Sequence, residues 1–148
     1  MKITVSVHGR YHAFDLAKGL SKRGYLDQLL TTYPKFIARK VVGTDVSIKS
    51  MPLLELRRRM YSKLGIGGKP DLGIAKSFGN FSRQRIRVDT DIFVGWSSAS
   101  LEAINPAQDL GSKVIIERGS THIVSQTDVL RAAYKELGLS FYETESEI

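Results

Sequence analysis

The chain contains no cysteine, which excludes disulfides and thiolate metal sites and fits a reducing compartment. No apolar run reaches the roughly 18 residues that a membrane-spanning helix needs. The N-terminus enters a strand pattern directly, with no basic stretch followed by an apolar one, so a secreted protein is not expected. Low-complexity tracts and repeats of fixed period are also absent. One glycine, Gly9, stands where a dinucleotide fingerprint needs three at G-x-G-x-x-G spacing, which argues against conventional NAD binding. No G-x-S-x-G elbow occurs, so a Ser-His-Asp triad has no support. The three histidines, His8, His12 and His122, form no H-x-x-x-H pair on a helix, because His8 and His12 straddle a strand-to-loop junction. No metal site is expected.

What is present is a chain of 148 residues, 42% apolar and 25% charged. A chain of that length can bury roughly 70% of its unfolded surface. One domain is expected over 1–148. The net charge of +7 is unevenly placed: Lys35 to Val88 holds thirteen Lys or Arg against only Asp45, Glu55 and Asp71, and the remainder holds nine basic and twelve acidic residues. Such a block attracts phosphates, whether in nucleic acid, anionic lipid or nucleotide-linked substrates. A solvated basic face with no dedicated partner is the plainer alternative.

Periodicity orders the elements. Lys2 to Val7 is short and β-branched, suiting an inner parallel strand, and Phe14, Leu16, Ala17 and Leu20 then recur at helical spacing up to Gly24. Gln28 to Tyr33 reads as a second strand stopped by Pro34, and Asp45 to Lys49 as a third, edge-like strand. Leu53, Leu56, Met60 and Leu64 mark an amphipathic helix that also carries Arg57, Arg58 and Arg59. Gly65, Gly67, Gly68 and Pro70 break it, and Asp71 can cap a further helix through Ile74, Phe78 and Phe81, interrupted at Gly79 and Asn80. Ile92 to Val94 and Lys113 to Ile116 are strands, each followed by a helix, the first around Leu101 and Ile104 and the second from Ile123 to Leu137, closed by Gly138. This alternation predicts an α/β fold, a Rossmann-like, doubly wound, mainly parallel sheet with right-handed crossovers.

In such sheets ligands sit outside the carboxyl ends of the strands, which selects three stretches. His8 to Phe14 (HGRYHAF) places Gly9, Arg10 and His12 in the first crevice loop. After the fourth strand, Trp96 can face a ring or sugar, and Ser97 or Ser98 can bond a hydroxyl or cap the next helix. The segment KVIIERGSTH delivers Glu117 and Arg118 at a strand end. Gly119, Ser120 and Thr121 then open a helix with amides suited to an anion, and His122 can carry a proton near neutral pH. Glu117, Arg118 and His122 are the candidate catalytic residues; Gly9, Arg10, His12, Trp96, Ser97, Gly119 and Ser120 are the candidate substrate-binding ones.

ITVSVHGRYHAFDLAKGLSKRGY, DIFVGWSSASLEAI and KVIIERGSTHIVSQTDVLRAAYKELG, in that order, resemble the N-terminal domain of family 4 glycosyltransferases, which have the GT-B fold. The resemblance implies the acceptor-side half of a retaining transferase of polysaccharide-type biosynthesis, moving a sugar from a nucleotide donor to an acceptor hydroxyl. Gly9 and its neighbours would then face the donor phosphates, with Arg10 or Arg118 stabilising the departing diphosphate. The family's spaced glutamate pair and donor domain have no counterpart here, so the chain is expected to be an incomplete, inactive portion with no cofactor beyond the nucleotide-sugar. Implied partners are a sugar or lipid-linked acceptor and a cytoplasmic membrane surface met through Arg57, Arg58 and Arg59. The competing class is a non-catalytic phosphate- or nucleic-acid-binding α/β module. The absence of a nucleic-acid motif, and the helical spacing of Tyr61, Phe78 and Phe81, argue against nucleic acid as partner.

Overall fold

The structure, a computed structural model, describes residues 1–63 and 69–141. Leu64 and the glycines at 65, 67 and 68, expected to end a helix, lie outside the described residues, as do Tyr142 and the acidic tail. Two compact units form, Met1–Glu117 and Arg118–Ile148.

The first unit holds β1 (Ile3–Val7), α1 (Ala13–Lys22), β2 (Leu26–Thr31), α2 (Lys35–Val42), β3 (Ser47–Ser50), α3 (Pro52–Lys63), α4 (Lys69–Arg83), β4 (Ile92–Trp96), α5 (Leu101–Asp109) and β5 (Lys113–Glu117). All strand pairs are parallel, in the order β3-β2-β1-β4-β5. The sheet is thus the Rossmann-like, doubly wound one expected from the alternation. Its order reverses between β1 and β4, the topological switch point at which such sheets open a crevice.

Strand alternation divides the core between the two faces. Ile3, Val5, Val7, Leu29, Ile48, Val94 and Trp96 pack with Ala13, Phe14 and Ala17 of α1 and Ala38 and Val42 of α2. Leu30 turns the other way, toward Leu54 of α3 and Ile74 and Phe78 of α4, and Phe93 turns toward Ala103 and Ala107 of α5. That second face is partly polar. Thr4 meets Thr90 at 3.1 Å, Ser6 meets Ser82 at 2.8 Å, and Gln28 donates to Thr4 at 3.2 Å and to the Arg85 carbonyl at 2.8 Å. Every one of these side chains is buried, and leaving such a group unpaired would cost about 1–3 kcal/mol. The row therefore fixes where the end of α4 lies on the sheet.

Several elements depart from the sequence reading. Helix α2 occupies a stretch for which no helix is predicted; β2 already ends at Thr31, and Pro34 serves as the N-cap of α2. Helix α4 starts ahead of Asp71, the expected cap, whose side chain is outside the description. It runs through Gly79 because a Cβ there would collide with the Glu102 carboxylate of α5, so the glycine is a close-packing contact between helices and not a break. On α3 the stripe Leu53, Leu56 and Met60 is exposed at 74%, 56% and 54%, and Leu54 and Glu55 are the residues turned inward. Strand β5 is an edge strand in its unit, leaving Ile115 and Ile116 half exposed.

The second unit consists of the helix α6 (Ile123–Glu136), which buries none of its residues, and a ring contact between Tyr134 and Phe141 at 5.3 Å. Among the described residues no helix is long and apolar enough to cross a membrane.

Candidate functional site

The carboxyl ends of β1, β2 and β3 carry the most distinctive surface of the first unit. After Val7 the chain turns at Gly9, whose φ of +98° suits glycine. The Gly9 amide donates to the Thr32 hydroxyl at 2.9 Å, and its carbonyl accepts from Thr31 at 3.0 Å. This pins the loop to the end of β2. Tyr11 has a φ of +40°, uncommon for a residue with a side chain. Its ring folds over Gly9, where a Cβ would stand 3.2 Å away. Lacking that Cβ, Gly9 is a seat for the ring, and the tyrosine remains 63% exposed.

Helix α3 enters the same edge. The Met51 amide bonds the Thr31 carbonyl at 2.9 Å, which ties the start of the helix to the end of β2. One turn on, the buried Glu55 accepts from Arg58 at 2.9 and 3.2 Å and from Arg59 at 2.9 Å. Burial pushes the Glu55 carboxyl up, but the hydrogen bonds and charges of Arg58 and Arg59 outweigh it and hold the group below its ordinary value. Glu55 in turn raises both guanidiniums, and the Tyr33 side chain lies within electrostatic reach of both, as Tyr11 does of Arg58. Two positive charges share one carboxylate, so the cluster keeps a net positive charge. Arg57 donates to the Tyr61 hydroxyl at 3.0 Å and lies 5.2 Å from that ring's centre.

Between these two segments α2 begins with exposed Lys35 and Phe36 and has no acidic residue in its first turn. Arg10 is likewise exposed. The edge thus combines Arg10, Lys35, Arg58 and Arg59 with the exposed rings Tyr11 and Phe36.

On the other side of β1, the switch point gathers half of the remaining site candidates. His12 is the N-cap of α1 and makes no side-chain cap bond. Its ring lies 5.2 Å from that of Trp96, and its Nε2 lies 3.9 Å from Glu117. Both His12 and Glu117 are about half exposed. Trp96 is only 5% exposed; the ring is packed and offers no stacking platform. The Ser97 amide is taken by the Glu117 carbonyl at 3.0 Å, and the helix expected to be capped by Ser97 or Ser98 has Ser100 at its N-cap, without a side-chain cap bond.

Arg118, Gly119, Ser120 and His122 belong to the second unit. There Arg118 donates to the Thr121 carbonyl at 2.7 Å, bracing its own loop. Gly119 and Ser120 are exposed, and His122 is the exposed N-cap of α6. Among the described residues, no three His, Asp or Glu side chains gather as a metal site would require. The site residues not singled out in the sequence are Glu55, Tyr11, Lys35 and Phe36. Glu55, Arg58 and Arg59 stand at i, i+3 and i+4, a spacing that places them on one helix face, so that part was readable.

Neither a protein-family model nor a curated protein matches the chain. A solved structure described as a predicted subunit of a tRNA methyltransferase from Methanocaldococcus jannaschii is similar over 99% of this chain and 94% of its own, at 13% identity and a TM-score of 0.42. The resemblance to family 4 glycosyltransferases is therefore withdrawn: no family model matches the chain. The sugar or lipid-linked acceptor, the nucleotide-sugar donor and the role in polysaccharide biosynthesis fall with it, as does the membrane contact through Arg57, Arg58 and Arg59. The argument against nucleic acid weighed only Tyr61, Phe78 and Phe81; it does not reach the exposed Tyr11 and Phe36 or the basic residues at this edge, and is withdrawn. The physical reason lies in the motifs themselves. Each is a strand followed by a polar loop and a helix, and a Rossmann-like layer produces that pattern whatever its function.

Proposed function

We propose that the chain is a phosphate-binding α/β module whose ligand is nucleic acid, held at the carboxyl edge of β1, β2 and β3. The observation that carries this reading is the cluster on α3, where one buried carboxylate holds two half-exposed guanidiniums on the helix that follows β3. Guanidiniums match phosphate oxygens in a fixed fork, and Arg10 and Lys35 extend the positive surface along the neighbouring loops. Gly9, Arg10 and His12 keep the ligand-facing role read from the sequence, now toward phosphate. Polyanion binding of this kind releases condensed counterions, so it weakens steeply with salt.

The test is fluorescence anisotropy with a labelled 12-nucleotide RNA over a range of sodium chloride concentrations. Arg10, Lys35 and the three arginines of α3, offset by Glu55, neutralise about four phosphates, and on a single strand that gives a log–log slope of about −3. A slope near zero, or no binding at low salt, would reject the reading.

A further inference from the structure

The exposed rings at the basic edge narrow the ligand further, on the premise that this edge binds phosphate. We infer that the module takes single-stranded nucleic acid and holds it by stacking bases on Tyr11 and Phe36. Both rings are open to solvent, Tyr11 at 63% and Phe36 at 64%. Exposed apolar side chains are common on protein surfaces; what sets these two apart is that each follows directly on an exposed cation, Arg10 or Lys35. They also leave from adjacent strands: Tyr11 follows β1 and Phe36 follows β2, and those two strands pair directly. Both residues therefore stand just past the carboxyl ends of paired strands, with Arg10 and Lys35 as their chain neighbours and Arg58 within electrostatic reach of Tyr11.

Tyr11 is held in place by its surroundings. Its backbone has a positive φ, its ring rests on Gly9, and Gly9 is bonded on both sides to Thr31 and Thr32. An uncommon conformation kept by that many contacts presents the ring in one orientation. Phe36 stands in the first turn of α2, whose Ala38 and Val42 are anchored in the core. Rings fixed among cations are what a strand with unpaired bases requires, because stacking accepts any base while the cations follow the phosphates. A duplex keeps its base faces stacked inside and has nothing to offer Tyr11 or Phe36.

The aromatics first considered from the sequence are not the ones involved. Phe78 is fully buried, and Tyr61 and Phe81 pack against its cluster.

The experiment compares an unstructured 12-nucleotide RNA with an abasic 12-mer of equal charge, using the full chain with wild-type sequence and the double variant Tyr11→Ala/Phe36→Ala. Circular dichroism on both proteins establishes that the variant is folded. The wild type is expected to prefer the base-bearing strand by roughly 10- to 100-fold, as loss of one or two stacked bases implies. In the variant that preference should collapse toward one. Equal wild-type affinity for the two strands, with steep salt dependence, would overturn the stacking inference and leave the phosphate-binding reading standing. A preference that survives in a folded variant would place the bases elsewhere and also overturn it. Failure of the wild type to bind either strand at low salt would reject both.

Discussion

The two ends of the sheet carry similar charged groups and treat them in opposite ways. At the amino end, Lys2 pairs with Asp89, the terminal amine lies 3.8 Å from Asp91, and Arg87 donates to Asp27 at 2.7 Å. Each of these three positive groups faces a carboxylate of its own. At the carboxyl end, Arg58 and Arg59 divide a single buried carboxylate, and Arg10 and Lys35 are exposed past the ends of β1 and β2. The amino end is closed electrostatically, whereas the carboxyl end keeps positive charge available to a ligand. Net charge alone would not have separated them, since both ends contain lysines and arginines. What differs is the number of carboxylates within reach.

Reversing the charge at the open end should have the largest effect. Arg58→Glu/Arg59→Glu is expected to weaken RNA binding by about 100-fold at low salt and to flatten the salt slope by about 1–2, as read by anisotropy titration. Undiminished binding would move the interface away from α3.

Glu55→Gln addresses stability at the same place. Removing the buried carboxylate leaves two guanidiniums without their common partner, and because both are about half exposed to solvent the cost should be about 1–2 kcal/mol at neutral pH. The folded-state carboxyl is held below its ordinary value. Its contribution is therefore complete above the ordinary carboxylate range and is lost as pH falls through the lowered value. Urea melts between pH 7 and pH 3 should show wild type converging on the Gln variant at the acid end. A constant gap across that range would remove Glu55 as the source.

At the closed end the expected effect is the smallest. Lys2→Gln/Asp89→Asn deletes an exposed pair, the kind that contributes little in water. RNA affinity should stay within about twofold of wild type in the same titration. A loss comparable to that of the α3 variant would mean that the two ends are not functionally distinct.

Much of the fold was readable because strand and helix periods leave different marks. Ile3, Val5 and Val7 alternate with Thr4 and Ser6, and Ala13, Phe14 and Ala17 follow at helical spacing, as the core confirms. Helix α2 was missed because its signal is short: Ala38 and Val42 are its buried residues, and a proline directly before them reads equally as the end of a strand. The exposed face of α3 was misread for a related reason. Leu53, Leu56 and Met60 form the longer apolar stripe, but Leu54 and Glu55 are the buried residues, and periodicity cannot tell which side a helix turns inward when its inner face contains a charge. The switch-point candidates were legible from strand ends alone. The Glu55 cluster required knowing that α3 starts beside β2, a long-range fact fixed by the Met51 to Thr31 bond.

The carboxylate at Glu55 has a consequence for the calorimetry of binding. Long arginine side chains ordinarily lose rotamer freedom when a ligand captures them, and that loss subtracts from affinity. Here Arg58 and Arg59 have already surrendered it during folding, to a group inside their own helix. Capture of phosphate at this edge should therefore carry a small entropic penalty for the protein.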